Sequence, residues 1–375
     1  MRFQSGRLAA LVSLALVLAC NSGSPARASG GPLLLAHYDP ALMAALDRAI
    51  QLNPNDATAY HSRAQLWLHV EEYGLAIADL SEVIRLEPEN STAHNYRGTA
   101  HFWAGDYATA LADFDRALAL DGELMLAHFN RGYAHLQLGD WEQAIADFQR
   151  GAALALAAGE LEAYAEAQTT IAEVQEIPHL SPAQLFARGE EKLASGDYLS
   201  ALASFTYVLA QEPHQLAAYL QRGLAHLALG AYGGAIADFN RALQLDPSYI
   251  DAYLQRGHGL ALQDDLPQAL ESYSQAIAVD PEAAAAYYYR GLTQAELEAW
   301  EPAIADLTQA IALEPTWAEA RGSRGLVYWQ RGQLEAAVAD LEQAAALFAA
   351  QGDQTGYEQT QMYLEEVTGE EPSAF

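Results

Sequence analysis

Apolar and polar positions along most of this chain follow the spacing of helices, three or four residues apart, rather than the alternation of strands. The pattern repeats every 34 residues. The interval is clearest in the residues that mark it: Pro54, Pro88 and Gly122, then Pro213, Pro247, Pro281 and Pro315. Pairs such as Gly105-Asp106 and Gly139-Asp140 mark a tight turn within the units. The pattern therefore predicts an all-α chain of helix–turn–helix units.

We number the positions within a unit as slots, with Ala57 as slot 1 of the first of eight full units. Slot 8 is glycine in every unit but the first, where it is Ala64, and slot 20 is alanine in all eight. Slot 24 holds a large side chain: Leu80, Phe114, Phe148, Phe205, Phe239, Tyr273, Leu307 and Leu341. These units resemble tetratricopeptide repeats. The resemblance implies a right-handed α-solenoid, in which small residues let paired helices approach closely.

The repeats fall into two blocks. Residues 147–174 and 340–367 align without a gap at an offset of 193 residues, and each stretch continues as a long helix where another unit is expected. We interpret both as capping helices, which solenoid ends require. The predicted parts are a capping half repeat (40–54), three repeats with a capping helix (55–176), a linker (177–182), five repeats with a capping helix (183–368) and a tail (369–375). One continuous superhelix and two separate ones both fit this pattern.

The N-terminus has the pattern of an export signal, because two arginines precede an apolar run from Leu8 to Ala19. This run is too short to span a membrane as a permanent helix. Val17-Leu18-Ala19-Cys20 resembles the lipobox of bacterial lipoproteins, in which the cysteine becomes the acylated first residue. We therefore predict a signal peptide over residues 1–19 and lipidation of Cys20, followed by a polar tether over residues 20–39.

Ordinary cleavage after Ala28 is the alternative, since Ala26-Arg27-Ala28 has small residues at the required positions. With a lipid anchor, the protein is expected in the bacterial envelope, attached to a membrane. Without one, it is expected to be soluble in the periplasm or secreted.

The chain is strongly acidic, with 19 Lys and Arg against 49 Asp and Glu and a formal net charge of −30. Such a surface repels phosphate backbones and anionic lipid headgroups, so nucleic acid is not an expected partner. The lipid anchor is the only expected contact with a membrane. Basic proteins and cations remain possible partners, and the acidity also fits a simple role in solubility.

Slot 7 is arginine in every full unit, although an apolar residue is usual there in the family that the chain resembles. Slot 23 is aspartate in six units, with Ser204 and Ser272 in the other two. A charge at a repeated helix contact needs a partner. We therefore predict ion pairs between the helices of a unit or between neighbouring units, and the alternative is an arginine track for an anionic ligand. The predicted ladder comprises Arg63, Arg97, Arg131, Arg222, Arg290 and Arg324 with Asp79, Asp113, Asp147, Asp238, Asp306 and Asp340.

Four histidines, His94, His101, His128 and His135, occupy slots 4 and 11 of two consecutive units. Several other units carry an aromatic ring there, so each imidazole is interpreted as a substitute for such a ring. The alternative is a transition-metal site, but no carboxylate or cysteine lies at ligand spacing. The sequence also has no phosphate-binding glycine loop and no nucleophile–base pair. We therefore predict no enzyme activity, no cofactor and no metal.

The resemblance implies that the first helices of the units line a concave groove. The groove candidates of the first block are polar and aromatic: His61, Gln65, His69, Asn95, Thr99, Trp103, Phe129 and Tyr133. Those of the second block are largely apolar: Phe186, Leu220, Leu224, Leu254, His258, Tyr288 and Leu292. Part of this apolar stripe could instead pack against neighbouring repeats. A groove of this kind suits a peptide or an amphipathic helix.

The predicted function is that of a non-catalytic scaffold or adaptor for protein–protein interactions in the bacterial envelope. The alternative is a periplasmic assembly factor that handles metals or other cations.

Overall fold

The fold is described from a computed structural model, which places residues 40–369. The predictions for the signal peptide, Cys20, the tether and residues 370–375 lie outside this range. Every regular element among the described residues is helical. In chain order the α-helices are α1 Pro40–Leu52, α2 Ala57–His69, α3 Tyr73–Leu86, α4 Ser91–Trp103, α5 Tyr107–Leu120, α6 Met125–Leu138, α7 Trp141–Ala158, α8 Leu161–Glu176, α9 Pro182–Ala194, α10 Tyr198–Gln211, α11 Leu216–Ala228, α12 Tyr232–Leu245, α13 Ile250–Leu262, α14 Leu266–Val279, α15 Ala284–Glu296, α16 Trp300–Leu313, α17 Ala318–Gln330, α18 Leu334–Gln351 and α19 Gln354–Thr368. A short 3₁₀ helix, Ile177–His179, lies between α8 and α9.

Each of the eight full units is a helical hairpin whose first helix begins at slot 1. Polar side chains fix several of these starts. The Asn90 side chain accepts a hydrogen bond from the Ala93 amide at 2.9 Å, and Asp56 does the same for Ala59 at 3.0 Å. Such caps satisfy amides that have no partner within the helix. Ser181 and Gln184 form a reciprocal capping box at the start of α9, which gives the chain a firm restart after the 3₁₀ helix.

The small and large slots form the layer between paired helices. All eight slot-20 alanines are fully buried, and no slot-24 side chain is more than 1% exposed. The slot-8 glycines lie against the slot-24 side chains: a Cβ on Gly98 would come within 2.7 Å of Phe114 Cε1. The helices of a repeat therefore approach as closely as glycine and alanine allow.

The two duplicated stretches have the same construction. In each, the last second helix is extended to 18 residues, as α7 or α18, and a further helix follows, α8 or α19. Gly159 and Gly352 separate these helices, with φ values of 79° and 76°. Glycine adopts this left-handed conformation without strain, so it ends the long helix and allows the capping helix to turn back.

The described chain divides after Arg241, inside α12, into two compact units. The division therefore does not fall at the linker of residues 177–182. Within the compact part that ends at Arg241, ion pairs join the helices on either side of the linker. Arg188 on α9 lies 3.5 Å from Glu173 and 3.5 Å from Glu176, both near the end of α8. Repeat four also packs against repeat three, through Tyr207 and Trp141, and repeat five packs against repeats one and two. The three-repeat block therefore belongs to the larger compact part that ends at Arg241.

No helix among residues 40–369 is both long enough and apolar enough to cross a bilayer.

Candidate functional site

The slot-7 arginines bind the slot-23 aspartates of the same repeat through two parallel hydrogen bonds. In repeat two, Arg97 Nε donates to Asp113 Oδ2 at 2.8 Å and Nη2 donates to Oδ1 at 2.7 Å. The same pairing joins Arg63–Asp79, Arg131–Asp147, Arg222–Asp238, Arg290–Asp306 and Arg324–Asp340. The aspartates are only 4–8% exposed. Each pair therefore ties the two helices of a repeat across a nearly dry contact.

Each of these arginines also reaches back to the preceding helix. The third nitrogen, Nη1, donates at 2.7–3.2 Å to a slot-25 oxygen: Asp47, Ser81, Asp115, Thr206, Ser274 and Thr308 in chain order. One guanidinium thus joins three consecutive helices. The pKa of Arg63 is raised above its ordinary value, chiefly by its hydrogen bonds to Asp79.

The two repeats without an aspartate use other acceptors. Arg188 pairs with the glutamates of α8, and Arg256 donates to Ser272 Oγ at 3.1 Å and to Gln275 Oε1 at 2.5 Å. All eight slot-7 arginines are therefore engaged by side chains of the described helices. This arrangement favours a structural role over a track for anions.

The histidines at slot 4 bind the same backbone group as the tyrosine of another repeat. Nε2 of His128 lies 3.2 Å from the Gly122 carbonyl oxygen, and Nε2 of His94 lies 3.4 Å from that of Pro88. In repeat five, the Tyr219 hydroxyl donates to the Pro213 carbonyl at 3.2 Å. Within residues 40–369, no three potential metal ligands come together. The imidazoles of His94 and His128 thus occupy the place that the Tyr219 ring has in repeat five.

The structure places the fifteen groove candidates in three classes of exposure. Gln65 and His69 are exposed. Nine are half-buried: His61, Thr99, Trp103, Phe129, Tyr133, Phe186, Leu220, Leu224 and Leu254. Four are buried and so are not open to a partner in this conformation: Asn95, His258, Tyr288 and Leu292.

Contacts with the next repeat explain two of the buried candidates. Asn130 on α6 donates to Asn95 Oδ1 and to Thr99 Oγ1, both at 3.2 Å, which links the first helices of repeats two and three. Tyr288 lies 4.5 Å, ring centroid to ring centroid, from Trp317 of the next repeat. Tyr288 of repeat seven therefore packs against the neighbouring repeat instead of facing solvent.

One set of contacts, in the compact part of the chain that ends at Arg241, was not expected from the sequence. The Tyr107 hydroxyl of repeat two lies 3.0 Å from His226 Nδ1 of repeat five, and the two rings stack at 5.9 Å. Burial lowers the pKa of His226 to about 3, so the imidazole is neutral near pH 7. Residues far apart in sequence thus hold repeats two and five together.

Comparison with known families agrees with the slot pattern. A family model of the tetratricopeptide repeat matches residues 70–123, 98–160 and 186–250, and a second one matches residues 318–350. A third, described as TPR repeat, matches residues 257–298. Together they span more than half of the chain. The chain belongs to the tetratricopeptide repeat family. Members of this family are typically non-catalytic scaffolds that bind other proteins.

Solved tetratricopeptide repeat structures resemble parts of the chain. The crystal structure of MamA is 26% identical over 44% of this chain and 96% of its own, with a TM-score of 0.41. TTC0263, a thermophilic TPR protein of Thermus thermophilus, is 24% identical over 50% of this chain and 99% of its own, with a TM-score of 0.41. PilW, a type IV pilus biogenesis factor, is 18% identical over 51% and 95%, also with a TM-score of 0.41. No protein with a curated description matched the chain.

The tetratricopeptide family accounts for the small slots and the helical hairpins, but the arginine ladder departs from its usual apolar slot 7. Here the hydrophobic contact between helices is replaced by a bidentate ion pair with a third bond to the preceding repeat. These arginines serve the scaffold, so the side chains of slots 5, 9 and 13 remain as the candidates for contact with a partner.

Proposed function

We propose that the chain is a non-catalytic adaptor of the bacterial envelope, which binds extended or helical protein segments on its concave surface. The observation that carries this proposal is that groove side chains differ in exposure from one repeat to the next. At slots 9 and 13, Gln65 and His69 of repeat one are exposed, whereas Trp103 and Tyr133 of the next two repeats are partly covered. The scaffold makes no use of the exposed pair, and their hydrogen-bonding groups suit a peptide backbone.

Photo-crosslinking through the groove tests the adaptor role. With a photoreactive phenylalanine analogue at His69 of the full chain in living cells, we expect a discrete adduct with a second protein. The same analogue at Gln149, an exposed position on a second helix, is the matched control and should give no such adduct. Mass spectrometry of the excised band identifies the partner. Failure to form an adduct at His69, or the same adduct at both positions, would contradict the proposal.

The N-terminal segment supports the envelope location. We expect Cys20→Ala to move the protein from the membrane fraction to the soluble fraction, because the thiol that would carry the lipid is gone. Fractionation of cells that express the full chain, followed by immunoblotting, measures this shift, and Ser22→Ala serves as a neighbouring control. If the Cys20→Ala protein stays with membranes, the lipid anchor is wrong, whatever the outcome at His69.

A further inference from the structure

Helix α10 of repeat four is buried on a face that other second helices expose. Ala203, at slot 22, is only 2% exposed. The equivalent residues of the other seven repeats are all exposed: Ala78, Ala112, Ala146, Ala237, Glu271, Ala305 and Ala339. Its neighbour Leu202 is fully buried, although slot 21 is half-buried in every other repeat. Something therefore covers the outer face of α10.

The sequence of α10 is adapted to that cover. Leu199, Ala203 and Tyr207 lie four residues apart and so form one stripe along the helix. No other repeat has a large apolar residue at both ends of this stripe. Slot 18 is small, proline or acidic elsewhere: Gly74, Ala108, Glu142, Gly233, Pro267, Glu301 and Glu335. Slot 26 is charged or amide-bearing elsewhere: Glu82, Arg116, Arg150, Arg241, Gln275, Gln309 and Gln343.

Repeats two and three supply the cover, and part of it lies at their groove. Leu199 packs against the buried cluster that contains Phe102 and Phe114, and the groove candidates Trp103 on α4 and Tyr133 on α6 pack against the same cluster. At the other end of the stripe, the ring of Tyr207 lies 5.0 Å from that of Trp141, at the start of α7. A helix of the protein itself therefore occupies the surface on which a tetratricopeptide repeat protein would hold a partner helix.

A second contact holds this arrangement closed. The turn of repeat two meets the start of α12 in repeat five, where a Cβ on Gly105 would lie 3.1 Å from the Gly234 backbone nitrogen. Gly234 is the only glycine at slot 19 in the eight repeats. The backbones approach this closely at Gly105 because it lacks a side chain, whereas a Cβ on Gly234 would lie 3.1 Å from the His226 ring of the same repeat. Tyr107 and His226, described above, pack beside this contact.

The internal fit is imperfect at one position. Gln137, at slot 13 of repeat three in the same groove row, is 6% exposed, and its Nε2 has no hydrogen-bond partner among the described residues. A buried donor without an acceptor is costly. A partner helix that supplied a hydrogen-bond acceptor to Gln137 Nε2 would bind the groove more favourably than α10 does.

We propose that the groove of repeats two and three is a binding site for a partner helix with a leucine, a small residue and an aromatic residue at positions i, i+4 and i+8, and that α10 occupies this site until such a helix displaces it. This inference rests on the proposed adaptor function and names its ligand class. Because α10 belongs to the same chain, its effective concentration at the groove is high. The apparent affinity for a partner is therefore the affinity of the open groove multiplied by the fraction of molecules that are open.

The test removes the internal ligand and supplies it from outside. In the full chain, Leu199→Glu with Tyr207→Gln gives α10 residues that other repeats carry at these slots, so repeat four keeps a sequence that suits its own packing. The probe is a fluorescein-labelled peptide of residues 196–212. We expect the altered protein to bind this peptide at least about tenfold more tightly than the unaltered protein. Fluorescence anisotropy measures both affinities.

Three controls make the result specific. A peptide with the same two substitutions should not bind. Glu335→Leu with Gln343→Tyr, which places the stripe on α18, should leave peptide affinity unchanged. Hydrogen exchange of the Leu199→Glu, Tyr207→Gln protein should be faster only in α10 and in the segments it covers, namely α4, α6 and the start of α7. Tyr207→Gln alone provides a milder opening if the double variant unfolds. Equal affinities for the two proteins, or no binding by an opened and folded protein, would overturn the proposal. The crosslink at His69 lies outside this contact, so its outcome tests the adaptor function separately.

Discussion

Replacing Asp306 by alanine should lower the free energy of unfolding by about 3 kcal/mol, because it leaves the Arg290 guanidinium half-buried without its counter-charge. Asp306 is 8% exposed and accepts hydrogen bonds from Arg290 Nε at 2.7 Å and Nη2 at 2.8 Å. Urea denaturation followed by circular dichroism measures the change. Repeat arrays can unfold in stages, so the transition that contains repeat seven is the relevant one.

Two companion variants separate the charge from the packing. Ser274→Ala removes the third hydrogen bond of Arg290, together with the bond that Ser274 Oγ donates to the Leu270 carbonyl at 2.7 Å, and should cost about 1 kcal/mol. Arg290→Leu together with Asp306→Leu should recover most of the stability lost in Asp306→Ala, since a buried ion pair can be replaced by apolar residues of similar size. A loss for Asp306→Ala no larger than that for Ser274→Ala would show that the charge is not held by this pair.

The second large effect is expected at Gly98. An added Cβ would lie 2.7 Å from Phe114 Cε1 and 2.8 Å from Cδ1, closer than carbon atoms pack. We therefore expect Gly98→Ala to lower the free energy of unfolding by about 2 kcal/mol, after its small gain in helix propensity. Thermal and urea denaturation of the full chain measure the change.

Repeat one provides the design of the control. It has Ala64 at slot 8, opposite Leu80 at slot 24, so a leucine tolerates the methyl group that a phenylalanine does not. Gly98→Ala with Phe114→Leu should thus be more stable than Gly98→Ala alone. Gly291→Ala, which faces Leu307 at 3.0 Å, should change stability far less. An equal loss for Gly98→Ala and Gly291→Ala would contradict this coupling between slots 8 and 24.

The sequence predicted the architecture well, because the 34-residue period fixes the helices and their small contact residues together. The eight first helices begin at the slot that the period assigns, from Ala57 to Ala318. The demand of a buried charge for a partner also led from Arg97 to Asp113. It did not reveal the third bond to Ser81, because a hydroxyl at slot 25 carries no charge that would indicate a pair.

The contacts between distant repeats could not be derived from the period. A repeat predicts how a unit meets its neighbours, whereas Tyr107 and His226 are three repeats apart along the array. The signal for the occupied groove was nonetheless present in the departures from the repeat: Leu199 and Tyr207 where other units are small or polar, and the glycine at position 234. Departures from a regular pattern, more than the pattern itself, indicate where a repeat array bends back on itself.

The ladder has a consequence for how such an array can change in length. Each arginine finds its aspartate 16 residues ahead and its slot-25 oxygen 16 residues behind, as Arg63 does with Asp79 and Asp47. Loss or duplication of a whole 34-residue unit leaves both distances intact at every remaining rung. Insertion of a single residue between an arginine and either of its two partners changes one of the two distances. The ladder therefore stays intact when complete repeats are gained or lost by recombination. It loses hydrogen bonds when a shorter insertion or deletion changes the distance between an arginine and its partners.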